Sequence, residues 1–239
     1  MPKLPIERDN DLLTALPDAV WQAWQDQVET VDVHVGEVLH STGQSPQHVY
    51  FPTTATVSLV YSDEEGDSIE IAAIGHEGLV GCSVLMGDGS TPGEAVVQSA
   101  GRCVRVPART LKLAFEETPA VARLMLRHTQ ALFAQFGQAA VCNRLHRLEC
   151  RLCRRLLQGF DRSRGGALLM THEVIASLLG VRREGVTEGA RRLQEVGLIR
   201  YNRGHIVILD RPGLEQRACG CYGVIRNQYD RVLPELEAA

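Results

Sequence analysis

Pro107 divides the sequence into two regions of different periodicity, and this constrains the fold more than any other feature. Before it, short β-branched runs at residues 31–35, 36–40, 48–51, 56–61, 68–74, 95–99 and 102–106 are separated by Gly, Pro, Asp and Ser. Runs of that length and spacing predict the strands of a jelly-roll β-barrel. The acidic segment 63–67 predicts a polar turn between two of them. After Pro107 the alternation gives way to helical spacing. Residues 111–117 predict a short helix, and Pro119 opens a long one running to Asn143. Its stripe of Val121, Leu124, Met125, Leu132, Phe136, Ala139 and Ala140 is longer than a small barrel can cover, which predicts pairing with a second subunit. Residues 144–160 predict a further helix with Leu145, Leu148, Leu152, Leu156 and Leu157 on one face. Ahead of the strands, Leu12, Leu13, Leu16, Val20, Trp21 and Trp24 predict a short amphipathic helix broken at Pro17. The expected class is α+β, with a barrel over 1–118, a dimerisation helix over 119–143 and a second domain over 144–239.

Charge is divided as unevenly as periodicity. The net charge is −4, yet residues 1–143 carry 8 basic against 18 acidic side chains, whereas residues 144–211 carry 14 against 7. Lys3 and Lys112 are the only lysines, so every basic group of the second segment is Arg. Arg presents a planar donor fork suited to phosphates and guanine edges. A solvated helical surface laced with ion pairs would carry the same charge. With 44% hydrophobic and 23% charged residues the chain can bury a core, which excludes disorder. No apolar run approaches the roughly 18 residues of a membrane span. Residues 1–7 lack the apolar core of a secretory signal, and none of the seven cysteines precedes Cys82. The expectation is reduced thiols in a cytoplasmic protein without a membrane partner.

The most informative stretch runs from Thr171 to Leu209. Thr171 suits the N-cap of a helix ending at Leu179, and Gly180 suits a left-handed turn. A second helix over 183–196 would bury Val186, Ala190 and Leu193. This is a helix-turn-helix pattern, and its projecting face bears Arg182, Arg183, Glu184, Thr187, Glu188 and Arg191. Two β-branched runs then flank Asn202-Arg203-Gly204, a hairpin with a basic tip placed where a wing would be. Together they point to double-stranded DNA as the partner.

A strand-rich N-terminal domain, a long helix and a C-terminal winged helix-turn-helix resemble the Crp/Fnr superfamily of bacterial transcription regulators. The resemblance covers nearly the whole chain and is strongest over 169–209 and in the tail Ala218-Cys219-Gly220-Cys221-Tyr222. It implies a cyclic-nucleotide-binding-like barrel, a homodimer, a pseudo-palindromic DNA site and RNA polymerase as a partner. It implies no enzymatic activity. Arg183 and Glu184 match the family's base-reading pair, while the second reading Arg of the family falls on Glu188. Cyclic-nucleotide members use Gly-Glu for the ribose and Arg-Ser or Arg-Thr for the phosphate. The matching positions here are Gly81, Cys82 and Ser83, then Gly93 and Glu94, with Cys82 in place of Glu and no Arg. These are the candidate pocket residues, and the expectation is no cyclic AMP binding and no cofactor. The N-terminal cysteine group of oxygen-sensing members has no counterpart before Cys82.

Two rival readings remain. Cys150, Cys153, Cys219 and Cys221 could form a metal or redox site in a thiol- or metal-dependent sensor, but their spacing matches no zinc ribbon or finger, and buried core thiols are the expectation. A cupin-like metalloenzyme would need close His ligands; His34, His40, His48 and His76 are scattered and lack the His-x-His spacing. Gly75-His76-Glu77-Gly78 predicts a β-turn. In a regulator, a signal in the barrel would act on the long helices through a hinge at Asn143 and Arg144.

Overall fold

The computed structural model describes residues 6–87, 89–163 and 168–233. They fall into two compact units, one of Met1–Leu59, Ala73–Phe133 and Gln228–Ala239, the other of Val60–Ala72 and Ala134–Asn227.

The first unit opens with helices α1 (Asp11–Thr14) and α2 (Asp18–Trp24), interrupted at Pro17 as expected. Leu12, Leu13, Leu16, Trp21 and Trp24 are buried. Asn10 caps α1, accepting from the N–H groups of Leu12 (3.0 Å) and Leu13 (3.3 Å). Its own amide donates to the carbonyls of Pro52 and Gly78, both at 2.9 Å. A fully buried polar side chain is thereby satisfied on every side.

Seven strands follow in the sequence: β1 (Glu29–Val33), β2 (Val38–His40), β3 (His48–Pro52), β4 (Thr56–Ser62), β5 (Ser68–Ile74), β6 (Glu94–Ser99) and β7 (Gly101–Pro107), with residues 60–72 of β4 and β5 counted in the second unit. They form two sheets, ordered β1-β7-β3 and β2-β6-β4-β5. β7 pairs antiparallel with both neighbours, in register Glu29↔Arg105 and Phe51↔Val104. Val33, Val49, Phe51, Val57, Val97, Val104 and Val106 supply the alternating apolar face. The expected strands recur within a few residues. The first begins and ends earlier than expected, at Val33, because Gly36 (φ +84°) sits in a turn where the Glu37 N–H donates to the His34 carbonyl at 3.0 Å. That turn leaves Val35 exposed.

Helix α3 (Ala108–Glu117) begins directly after Pro107, three residues before its expected start, and α4 (Pro119–Leu145) follows. The stripe expected to meet a second subunit is largely consumed within the chain. Val121, Leu124, Met125, Leu132 and Ala139 are buried. The exposed apolar residues of α4 lie on another face, with Leu126 58% and Phe133 59% exposed, and Val141 and Leu145 also open. Helical periodicity finds apolar faces but does not say which one the chain itself covers.

The second unit corrects the expected hinge. α4 runs through Asn143 and Arg144 without a break, and the helix ends at Leu145. The chain turns at His146 and Arg147, whose extended backbone (φ −64°, ψ 150°) starts α5 (Leu148–Arg162). Leu145, expected on the second helix, is therefore an exposed residue of the first. The unit continues with β8 (Leu168–Leu169), α6 (His172–Leu179), α7 (Arg183–Glu195), β9 (Ile199–Asn202), β10 (His205–Ile208), α8 (Arg211–Arg217) and α9 (Cys221–Asp230). Leu152, Leu156 and Leu157 of α5 meet Ile175, Leu179, Val186, Leu193, Ile199 and Ile206 in one core. Four arginines of α5, at 151, 154, 155 and 162, are buried instead of lining the surface. The Arg151 guanidinium donates to the Asn143 side chain (3.0 Å) and to the Leu179 carbonyl at the end of α6. The Arg155 Nε lies 3.0 Å from the Glu70 carboxylate, which neutralises it within the same unit.

A buried histidine of the first unit generates a testable pH dependence. His128 on α4 is fully buried, its Nε2 within reach of the Leu79 backbone and its ring 6.3 Å from that of Tyr229. Burial pushes its pKa from 6.5 down to about 4, so the ring is neutral in the fold. A folded value below the unfolded one gives stability that is present above pH 6.5 and lost as pH falls through 4. The loss should total about 3 kcal/mol. Urea unfolding at successive pH values should show the fall, and His128→Gln should flatten it. Parallel wild-type and variant curves would contradict the assignment.

Candidate nucleic-acid interface

Each half of the helix-turn-helix is set by one local feature. The Thr171 side chain accepts from the Val174 N–H at 3.2 Å and starts α6. Gly180 ends α6 in the left-handed conformation (φ 60°, ψ 48°), which glycine adopts without strain. Arg182 is the extended residue before α7, and Arg183 and Glu184 form its first turn. α7 buries Val186, Gly189, Ala190 and Leu193. Gly189 is there for a close approach: a Cβ on it would lie 3.1 Å from the Leu152 side chain of α5.

Arg182, Arg183, Glu184, Thr187 and Arg191 are exposed on the opposite face, with Glu188 half-exposed among them. Arg183 lies 3.6 Å from the Glu173 carboxylate, a long contact between two largely solvated groups that holds neither firmly. Glu188 is different. It accepts from Arg191 Nη2 at 2.8 Å and from Arg192 Nε at 3.0 Å, and these hydrogen bonds hold its carboxyl down at about 2. Arg191 also pairs with Glu195. The ion-paired surface therefore describes the C-terminal half of α7, and the open arginine donors sit in its first turn.

Thr187 is less open than the sequence suggests. Its hydroxyl lies 3.0 Å from His172 Nδ1, and the His172 ring stacks on Tyr201 of β9 with centroids 4.0 Å apart. Burial, aided by the Arg183 charge, lowers the His172 pKa and favours the neutral ring. Sequence reasoning missed both His172 and Tyr201, because no spacing rule connects the start of α6 to a later strand.

The wing is a tight hairpin. β9 and β10 pair with His205 opposite Asn202, which leaves Arg203 (φ 47°) and Gly204 (φ 86°) as the two central residues of the turn. Positive φ at both positions marks a type I′ turn. β8 adds a third strand on β10 that two residues could not announce in the sequence. The Met170 N–H donates to the Gly204 carbonyl at 2.7 Å, so the wing turn sits beside the Thr171 cap. Arg203 and the first turn of α7 thus belong to one three-element scaffold of helix, helix and wing.

The other candidate residues lie elsewhere. Gly81 (φ 98°) precedes a single 3-10 turn, Cys82–Leu85, that carries Cys82 and Ser83. A Cβ on Gly81 would lie 2.5 Å from His40. Cys82 is buried, and burial pushes its thiol up to about 11. Gly93 precedes β6, of which Glu94 is the first residue, and no Lys or Arg occurs between 81 and 97. His40 Nε2 lies 2.8 Å from the His48 carbonyl, and His76 faces Asp11 at 3.1 Å. His34 is exposed, and none of the four belongs to a group of three or more metal-donor side chains among the described residues. Residues 75–78 form the expected turn, the Gly78 N–H donating to the Gly75 carbonyl at 3.1 Å. Cys153 is buried in the core of the second unit. Cys219 and Cys221 are grouped instead with Cys142 and His146, and Cys150 packs against that group without joining it.

No helix among the described residues is long and apolar enough to cross a membrane. Residues 30–118 match the cyclic nucleotide-binding domain, and residues 150–217 match the Crp-like helix-turn-helix domain. No curated protein sequence matches the chain. Among solved structures, a Crp/Fnr-family transcriptional regulator of Thermus thermophilus is 25% identical, with a TM-score of 0.65 over 80% of this chain and 98% of that one. A protein of Eubacterium rectale assigned to the same family shares the fold at 22% identity, with a TM-score of 0.68 over 88% of this chain and 99% of that one. FixK2 of Bradyrhizobium japonicum does so at 18% identity and a TM-score of 0.67, over 80% and 98%. With a cyclic nucleotide-binding domain followed by a long helix and a Crp-like helix-turn-helix, the chain carries the domain set of a Crp/Fnr-type transcriptional regulator.

Proposed function

We propose that the protein acts as a homodimer, reads a pseudo-palindromic double-stranded DNA site through α7, and does so without cyclic AMP. The observation that carries the reading is the exposed first turn of α7, projected by the Gly180 turn beside the basic wing tip. Arg183 can donate two bonds to a guanine edge and Glu184 can accept one from a cytosine amine. Arg203 at the tip of the wing suits a phosphate, and so does the Thr171 hydroxyl at the start of α6. The role is binding, with no catalytic step assigned to any residue.

Binding-site selection tests the readout. Arg183→Ala should cost about 1–3 kcal/mol per half-site and relax the preference at one base position. Arg203→Asn keeps a residue that tolerates positive φ, so the wing should stay folded while binding weakens on all sequences alike and its salt dependence flattens. If Arg183→Ala selected the parent's sequence at the parent's affinity, α7 would not be the reader.

The dimer seam follows from the corrected face of α4. Leu126, Phe133, Gly137, Ala140 and Val141 are spaced as a coiled-coil stripe along it, with the large apolar members exposed. Phe133→Asp should yield a monomer by sedimentation at micromolar concentration, where the wild type sediments as a dimer. A dimer unaffected by that charge would place the seam elsewhere.

Cyclic AMP independence rests on the buried Cys82 at the ribose-binding position and on the absence of a cation between 81 and 97. A cyclic phosphate entering that site would meet Glu94 and no guanidinium. Calorimetry should therefore detect no heat of cyclic AMP binding, and DNA affinity should not change on adding it. Micromolar binding would overturn this part of the reading.

A further inference from the structure

We propose that Cys142, His146, Cys219 and Cys221 form a closed four-ligand site for a single zinc ion. Cys142 and His146 are one helical turn apart at the end of α4, where the His146 N–H still donates to the Cys142 carbonyl at 3.1 Å. Cys219 lies in the link between α8 and α9, and Cys221, on the other side of Gly220, opens α9. The fold of the second unit therefore brings two pairs together from positions far apart in sequence. Cys142 Sγ lies 3.4 Å from Cys219 Sγ, and Cys221 Sγ lies 3.5 Å from His146 Nδ1. All four donor atoms lie within 4.8 Å of one another. A tetrahedral zinc with ordinary Zn–S and Zn–N bonds has edges of about 3.5–3.8 Å, so the set closes on the ion with only small side-chain adjustments.

The chemistry of the set favours zinc over other occupants. Three thiolates and an imidazole are a known zinc donor combination, and a full set of four protein ligands marks a structural site with no open position for a substrate. The irons of an iron–sulfur cluster each take their own thiolate and would spread the sulfurs more widely than this. Binding releases the three thiol protons and leaves the zinc centre with one net negative charge. Arg154 of α5 supplies the compensating cation. It is buried, its charge acts on Cys142, and its Nε has no hydrogen-bond partner. Cys142, Cys219 and Cys221 are themselves buried, which excludes water from the centre. The ion would join the end of the long helix to the C-terminal segment of the same unit, so that α9 could not part from α4 without losing it.

Elemental analysis of the full-length chain, purified without a metal-affinity tag, tests the site, together with X-ray absorption at the zinc edge. The expected result is about one zinc per chain with a first shell of three sulfurs and one nitrogen. Cys219→Ser and His146→Ala should lower the zinc content, whereas Cys150→Ser, next to the site but outside the donor set, should leave it unchanged. Circular dichroism of each variant shows whether lost metal reflects a lost ligand or a lost fold, and the wild-type measurement stands without any variant. A wild-type chain free of zinc would overturn the proposal. So would a Cys142–Cys219 disulfide seen as a two-dalton loss, an iron–sulfur chromophore, or an absorption spectrum showing oxygen ligands.

Discussion

The geometry of the DNA-binding half depends on one packing contact, the apolar face of α5 against α6, α7 and the wing. Leu152, Leu156 and Leu157 are each essentially fully buried there, together with Ile175, Leu179, Val186 and Leu193. Close-packed cores deform little, so the angle at which α7 leaves this one is fixed. Two small residues of α7 bring it near. Side chains at Gly185 and Gly189 would run into Leu148 and Leu152 of α5. Once α7 lies that close, the face opposite the core must project, and that face begins with Arg182, Arg183 and Glu184. The left-handed Gly180 then sets the direction from which α7 enters.

Electrostatics on this scaffold are more economical than the basic composition suggests. Arginines of α5 serve the interior: Arg155 pairs with Glu70, Arg151 ends α6 at Leu179, Arg154 lies beside the cysteine cluster and Arg162 donates to the Gln158 carbonyl. Arg191 and Arg192 are engaged by Glu188 along α7. Arg182, Arg183 and Arg203 remain exposed, Arg183 with only a long 3.6 Å contact to Glu173. The Glu188 carboxylate already accepts from two neighbours, Arg191 and Arg192, which occupies it along the helix surface.

Much of this architecture was legible in the sequence because it is periodic. The β-branched runs gave strands that recur within a few residues, and Thr171, Gly180 and Arg203-Gly204 carry local signals strong enough to place cap, turn and wing. The misreadings share a physical cause: the sequence does not show what the chain folds against. α4 has more than one apolar stripe, and most of the stripe expected to meet a partner subunit is covered by the chain itself, with Ala140 left exposed. No break occurs at Asn143 and Arg144, the expected hinge, since nothing between Val141 and Leu145 breaks a helix, and the helix boundary falls at His146 and Arg147 instead. Buried arginines on α5 read as surface charge until their carboxylate and carbonyl partners are known. Of the candidate set Cys150, Cys153, Cys219 and Cys221, only the last two are brought together with metal donors, because the end of α4 places Cys142 and His146 beside them from far away in sequence. Asn10 and His172 were missed for the same reason, because their partners lie in other elements.

In the proposed complex, two copies of α7, fixed by this core and joined through α4, enter successive major grooves on one face of DNA. Hydroxyl-radical footprinting of the purified protein on a selected site tests it most directly. Two protected regions should appear with centres about one helical turn apart, on the same face of the duplex and related by a two-fold axis. A single protected block without two-fold symmetry, or protection that does not depend on sequence, would contradict it.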